Sequence, residues 1–404
     1  MIFVADAADM SLTVKSTMVA ASPPTLKPRR PNFSSGPCCK RPGWAPDVLQ
    51  TALLGRSHRS VDGKRRLKRA IDETKDLLAL PPGYEVAIVP GSDTGAFEMA
   101  MWNLLGARGV DVFAWDVFGR IWLKDAVVEL GLSDVRVFEA DAGYLPDLSA
   151  ADFARDVLFT WNGTTTGVRV PNAAWIPEQR GGLTICDATS AIFAADIDLA
   201  RIDVLTFSWQ KVLGGEAAHG MLVMSPRAIS RLRQTKPAWP MPKVLRLKAG
   251  DDIFPGLFEG VTINTPSMLC VEDYLDALHW ARSVGGLAGL IARAKANAAI
   301  VYDWIDASAW ATPLAVDPAT RSTTSVCLRF TDPALVGESG VQLMSAMSAL
   351  LEKHAVAHDI SAYRGMPPGF RIWTGATVES DDVARLMPWL NWAYDMCRAA
   401  RNAG

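Results

Sequence analysis

Between Val86 and Trp161, short apolar runs alternate with helix-length stretches, and this alternation restricts the chain more than any other feature. The run Val86–Val89 gives way, after a turn, to a helical pattern from about Asp93 to Leu105 that Gly106 can terminate. The order then repeats: Val110–Trp115 reads as a strand, Arg120–Leu130 as a helix stopped by Gly131, and Val135–Glu139 and Val157–Trp161 as further strands. Strands alternating with helices pair mostly in parallel, in a sheet covered on both faces. Three later runs, ending at Cys186, Ser208 and Met224, bring the expected strands to seven. The connection after Asp187 has the length of roughly a dozen residues that a parallel crossover needs. The segment from Gly214 to Gly220 is too short for a crossover helix and predicts an antiparallel return strand.

A second region begins after an amphipathic helix at Met268–Val284, which the pair Gly285-Gly286 ends, and a helix from Leu287 to Ile305 long enough to bridge domains. Beyond it the pattern predicts strands at Ser325–Phe330, Ile360–Tyr363 and Phe370–Thr374, with helices at Gly340–Lys353 and Asp381–Ala400. The expected fold class is therefore α/β: a large, mostly parallel seven-stranded sheet domain with helices on both faces, plus a smaller α+β C-terminal domain. With 404 residues, 49% of them hydrophobic, the chain can fill both cores. The division read from the sequence is a disordered lead-in over residues 1–27, with Met10 or Met18 as alternative starts, and an arm over 28–44 that continues the proline-rich, basic stretch Pro23–Pro31. A large domain over 45–286 and a small one over 287–404 complete it.

A formal net charge of -2 supplies no basic field for nucleic acid or an anionic membrane, so the expected partners are small molecules. No segment of bilayer length is free of charge or proline, and residues Met1–Thr25, with acidic residues and no sustained apolar core, argue against a secretory signal. The six cysteines lack CxxC spacing and the five histidines form no HExxH pattern; reduced thiols, a cytoplasmic location and no metal site are expected. His354 and His358, four residues apart, have no carboxylate-rich partner motif and read as surface residues.

Two of the predicted strands end in chemistry. The run Leu183–Cys186 ends at Asp187, and Val204–Ser208 leads through Trp209 and Gln210 to Lys211 and the pair Gly214-Gly215. A lone lysine after a strand is usually a surface residue, and an aspartate before Ala188-Thr189-Ser190 suits a helix cap or a turn. Together at one sheet edge they match the needs of pyridoxal phosphate (PLP): a lysine to form the Schiff base and a carboxylate to keep the pyridine nitrogen protonated. The turn Pro90–Ala96, with Ser92 and Asp93, precedes a helix and suits a phosphate, although the Asp93 carboxylate must then point away or cap the helix. Thr164, in the loop Trp161–Gly167, faces the same edge as a partner for a ring oxygen or as an ordinary polar turn; Phe118 would stack on the ring or belong to the core. Arg59, Arg364 and Arg371, with His58 beside Arg59, are solvated singly but would suit a doubly anionic substrate if they converge.

In the ordered set Asn32–Pro37, Ser57–Ser60, Cys186–Ser190, Ser208–Lys211, Ile263–Pro266 and Phe370–Trp373, the chain resembles the phosphoserine aminotransferases, a family of fold-type I PLP enzymes. The resemblance implies reversible amino transfer between phosphoserine with 2-oxoglutarate and 3-phosphohydroxypyruvate with glutamate in serine synthesis, and use of a phosphorylated hydroxythreonine in vitamin B6 synthesis. It implies Lys211 as the Schiff-base residue, Asp187 as the pyridinium partner, Gln210 and Ser92 as phosphate contacts, and Thr164 at the ring oxygen. Asn264 and Thr265 would reach the cofactor phosphate of a neighbouring subunit in a homodimer, and His58, Arg59 and Arg371, with Arg364, would hold the substrate. The chain departs from the family at Phe118, where many members stack a tryptophan, and at Asp93, where several carry an arginine. The rivals are another class V enzyme, such as a serine- or alanine-glyoxylate aminotransferase or a cysteine desulfurase, and a non-catalytic ligand-binding relative.

Overall fold

The computed structural model describes residues 22–402. Seven strands form the large sheet: β1 (Glu85–Pro90), β2 (Val110–Ala114), β3 (Val135–Glu139), β4 (Asp156–Thr160), β5 (Thr184–Asp187), β6 (Val204–Ser208) and β7 (His219–Met224). Their spatial order is β1-β7-β6-β5-β4-β2-β3, and every pairing is parallel except those of β7, which runs antiparallel to both β1 and β6. The short return after Lys211 thus becomes the antiparallel strand expected beside the lysine strand. The crossover from β5 to β6 is built of turns and one 3₁₀ turn at Leu199–Arg201 rather than a helix.

The strands are apolar on both faces because both faces are covered. Alternate residues Ile88, Phe113, Phe159, Cys186, Leu205 and Phe207 share one core with Leu67 and Ile71 of α1 (Val61–Leu77) and Val271 and Tyr274 of α5 (Met268–Ser283). Their neighbours Val89, Val112, Leu158, Ile185 and Val204 share the other with Phe97 and Met101 of α2 (Ser92–Leu104), Trp122 of α3 (Val117–Lys124) and Leu232 of α4 (Pro226–Gln234). Helix α3 starts earlier than its periodicity suggests, because Asp116 caps it by accepting from Gly119 N at 2.8 Å, and it continues as a π-helical turn at Asp125–Glu129.

Helix α6 (Gly286–Asp306) leaves α5 at 85° and leads to an antiparallel sheet of β8 (Ala311–Pro313), β9 (Ser325–Phe330) and β10 (Gly369–Trp373), flanked by α7 (Glu338–Lys353) and α8 (Ser380–Asn402). The strand expected at Ile360–Tyr363 shrinks to one bridge, Ser361 to Phe370. Among the described residues no single helix is long and apolar enough to cross a bilayer.

The alternative starts Met10 and Met18, and the lead-in up to residue 21, lie outside the described residues. The end of that lead-in is not free: Trp389 Nε1 donates to the Leu26 carbonyl at 2.8 Å, and Lys27 Nζ donates to the His354 carbonyl at 2.8 Å. Nor is His354 a bare surface residue; its ring lies 5.5 Å from that of Trp389 and 5.1 Å from that of Trp392. The arm then threads the fold. The Phe33 carbonyl accepts from Trp373 N of β10 at 2.9 Å, Cys38 N donates to the Gln210 carbonyl at 2.8 Å, and Arg41 makes a two-pronged bond to Asp276 of α5 at 2.7 and 2.8 Å.

Candidate active site

Parallel strands carry the side chains at their C-terminal ends to one edge, and there β4, β5 and β6 meet the N-terminus of α2 and one side of α3. A cavity at this edge is lined by Ser92, Asp93, Phe118, Thr164, Asp187, Gln210 and Lys211, seven of the residues singled out in the sequence, together with Trp122, Thr160, Asn162, Thr189 and Ser190.

Lys211 stands just past β6 in a turn that a rigid floor supports. Trp209 is 1% exposed and stacks on Tyr274 with ring centroids 4.6 Å apart and planes 8° apart. Gly214, at φ 65°, brings the turn so close to the Cys39 carbonyl that a side chain there would collide with it. The arm covers the lysine: Lys211 Nζ donates to the Ser35 carbonyl, and a Cβ on Gly36 would come within 2.6 Å of that nitrogen. Burial depresses the Lys211 pKa and the nearby Arg371 guanidinium adds to this, against the opposing pull of Cys38, Asp187 and Asp93.

Asp187, at the end of β5, is fixed from two sides. Its Oδ2 accepts from Trp122 Nε1 at 3.2 Å and its Oδ1 from Thr189 N at 3.0 Å. Next to it lies Asp93, whose carboxyl is turned inward, away from the phosphate-type turn, toward Asp187 and the hydroxyls of Thr206 and Thr189. Burial and the charge of Asp187 hold the Asp93 carboxyl well above the usual range. On the α3 side, burial pushes Asp116 up to about 6.

Ser92 opens α2 at φ 53°, a conformation a non-glycine residue seldom adopts. The helix start can seat there because β7 passes beneath it at Gly220, where any side chain would meet the Ser92 carbonyl and Ala96. Thr164 Oγ1 donates to Ser190 Oγ at 2.7 Å, and Asn162 Nδ2 donates to the same oxygen at 2.8 Å. Phe118 meets Tyr363 with ring centroids 6.0 Å apart, and the Arg371 guanidinium lies 5.3 Å from the Tyr363 centroid, so the aromatic pair links the cavity wall to β10.

The other candidates stand apart. Asn264 and Thr265 lie off the cavity, with Thr265 exposed, and neither His58, Arg59 nor the exposed Arg364 lines it. Ser190 and the arm residue Ser35 stand in the quoted runs Cys186–Ser190 and Asn32–Pro37 but carried no role of their own, and Trp122 escaped the sequence reading. Its signal is its place one helical turn after Phe118, on the same side of α3. A larger hollow of about 600 Å³ near Leu105, Arg231 and Trp239 lacks this chemistry, since Arg231 is already paired with Asp156 at 2.9 Å.

The aminotransferase class-V family matches residues 131–386, and the chain belongs to that family. It is 52% identical over 375 residues to the phosphoserine aminotransferase of Methanosarcina mazei, covering 93% of this chain and 100% of that protein, and equally similar to its counterpart in Methanosarcina barkeri. The fold is that of the phosphoserine aminotransferase structure from Cytophaga hutchinsonii, with a TM-score of 0.76 at 21% identity over 89% of this chain and 97% of the other.

Proposed function

We propose that this chain is a phosphoserine transaminase that uses pyridoxal 5'-phosphate, moving the amino group between phosphoserine with 2-oxoglutarate and 3-phosphohydroxypyruvate with glutamate. One observation carries the reading: a half-buried lysine of depressed pKa and an anchored aspartate face a single cavity at the sheet edge. The lining also fits the cofactor. Thr160 Oγ1, Asn162 Oδ1, Thr189 Oγ1 and Gln210 Oε1 are buried without a hydrogen-bond partner among the described residues, and such atoms are costly to bury unless something polar meets them.

When bound, PLP supplies an electrophilic carbon for the amino group and a ring that takes up the electrons released at Cα. Lys211 would hold it covalently; the depression of its pKa favours the free-amine form of Nζ, and the same nitrogen would carry the proton from and to the substrate Cα. Asp187, its two oxygens held by Trp122 and Thr189, would keep the ring nitrogen charged. The backbone N–H groups at the start of α2, with Ser92 and Gln210, would take the phosphate, and Thr164 the ring oxygen. Arg371, half-buried with its Nε lacking a partner among the described residues, would bind a substrate anion.

The finer parts of the reading belong together. His58, Arg59, Asn264 and Thr265 lie outside the cavity of one chain, so they serve a site only if a second copy brings them, and a homodimer is part of the proposal. So are a phosphorylated hydroxythreonine as second substrate and a cytoplasmic location. A desulfurase fits less well: no cysteine lines the cavity, and burial within β9 pushes Cys327 up to about 12. The test is a rapid-mixing half-reaction that follows the absorbance of the loaded enzyme with phosphoserine, serine and alanine in turn. Phosphoserine should react fastest; a preference for the unphosphorylated amino acids would defeat the assignment.

A further inference from the structure

The chemistry proposed for the site leaves a second carboxyl group beside Asp187 without a role, yet the fold supplies one. Asp93 is 7% exposed and lines the cavity, and its Oδ1 has no hydrogen-bond partner among the described residues. Its position is built in: the left-handed Ser92 and the bare Gly220 seat the start of α2 over β7, which aims the next side chain across the sheet edge at β5. The groups facing it are Asp187 and Cys186 of β5, Lys211 beyond β6, and the Thr206 and Thr189 hydroxyls. Two buried carboxylates side by side cannot both stay charged. Asp187 already accepts from Trp122 and from the Thr189 backbone, so the charge is better satisfied there.

We propose that Asp93 is a positioning residue that works as a neutral carboxylic acid, donating its proton in a hydrogen bond to Asp187 and aiming that carboxylate at the cofactor ring nitrogen. The inference rests on the assignment of Asp187 to the ring nitrogen. Burial and the Asp187 charge both raise the Asp93 pKa, which favours the protonated acid beside Asp187. As pH rises and Asp93 ionises, a second negative charge confronts Asp187 and cofactor binding weakens.

The test reads PLP affinity by titrating apoprotein and following fluorescence quenching across pH. An asparagine can still donate a hydrogen bond and cannot ionise, whereas a leucine can do neither. At pH 7, D93N should bind PLP at least 10-fold more tightly than D93L, and it should lose the alkaline weakening that wild type shows. Equal affinities for D93N and D93L, or an alkaline weakening in D93N as large as that of wild type, would overturn the proposal. If D93L fails to fold, as judged by circular dichroism, the pH dependence of D93N against wild type decides alone. D187N separates the two readings: wild-type PLP affinity in that variant would remove Asp187 from the ring nitrogen, whatever Asp93 does.

Discussion

His219, the first residue of β7, should make the fold sensitive to mild acid. It is 2% exposed, its ring lies 5.0 Å from that of Trp209, and its Nε2 accepts from Ser267 N at 3.0 Å. Burial lowers its pKa from 6.5 to about 4. The unfolded chain therefore takes up the proton first as pH falls, so the native state loses stability from just above pH 6.5 down to about pH 4 and loses no more below that from this group. Each pKa unit corresponds to about 1.4 kcal/mol, which makes the loss between pH 7 and pH 5 about 2 kcal/mol. The assay is urea unfolding of wild type and H219F at both pH values; comparing the two slopes cancels the other titrating groups. Wild type should lose about 2 kcal/mol more than H219F over that interval. Equal losses would refute the reasoning. Protonation also ends the bond to Ser267 N, the cap of α5 two residues past Thr265, so the segment proposed to reach the neighbouring subunit loosens with the fold.

Two further substitutions probe the site. R371A should lower kcat/KM for phosphoserine by about 100-fold, the scale of a lost charged hydrogen bond, while changing the alanine reaction far less; an equal loss with both amino acids would make Arg371 structural. G220A places a methyl group against the Ser92 carbonyl and Ala96, so it should cost about 1–3 kcal/mol in urea unfolding and weaken PLP binding by displacing the start of α2. Unchanged stability and affinity together would show that β7 has room there.

The sheet was legible because its strands are buried on both faces and read as unbroken apolar runs. Lys211 and Asp187 were legible for a related reason: each stands where such a run stops. Helix α1 was not, since Leu67, Ala70 and Ile71 are its few apolar anchors among lysines, arginines and acids; only the capping Ser60, which accepts from Gly63 N at 3.1 Å, marked its start. The lid over Lys211 was out of reach for sequence patterns, because its Ser35 partner lies 176 residues away along the chain. Asp93 was placed correctly at the start of α2, but its true neighbour depends on how α2 sits over β7, which no local pattern records. Phe118 lacks an indole donor, and Trp122 brings one to Asp187 from the next turn of α3.

The central claim is that Lys211 is the residue to which the cofactor is attached. Borohydride reduction of the PLP-loaded protein, followed by proteolysis and mass spectrometry, tests it most directly. The account predicts the reduced pyridoxyl phosphate group on the peptide containing Lys211 and on no other. A modified lysine elsewhere, or a protein that takes up PLP with Lys211 unmodified, would contradict it.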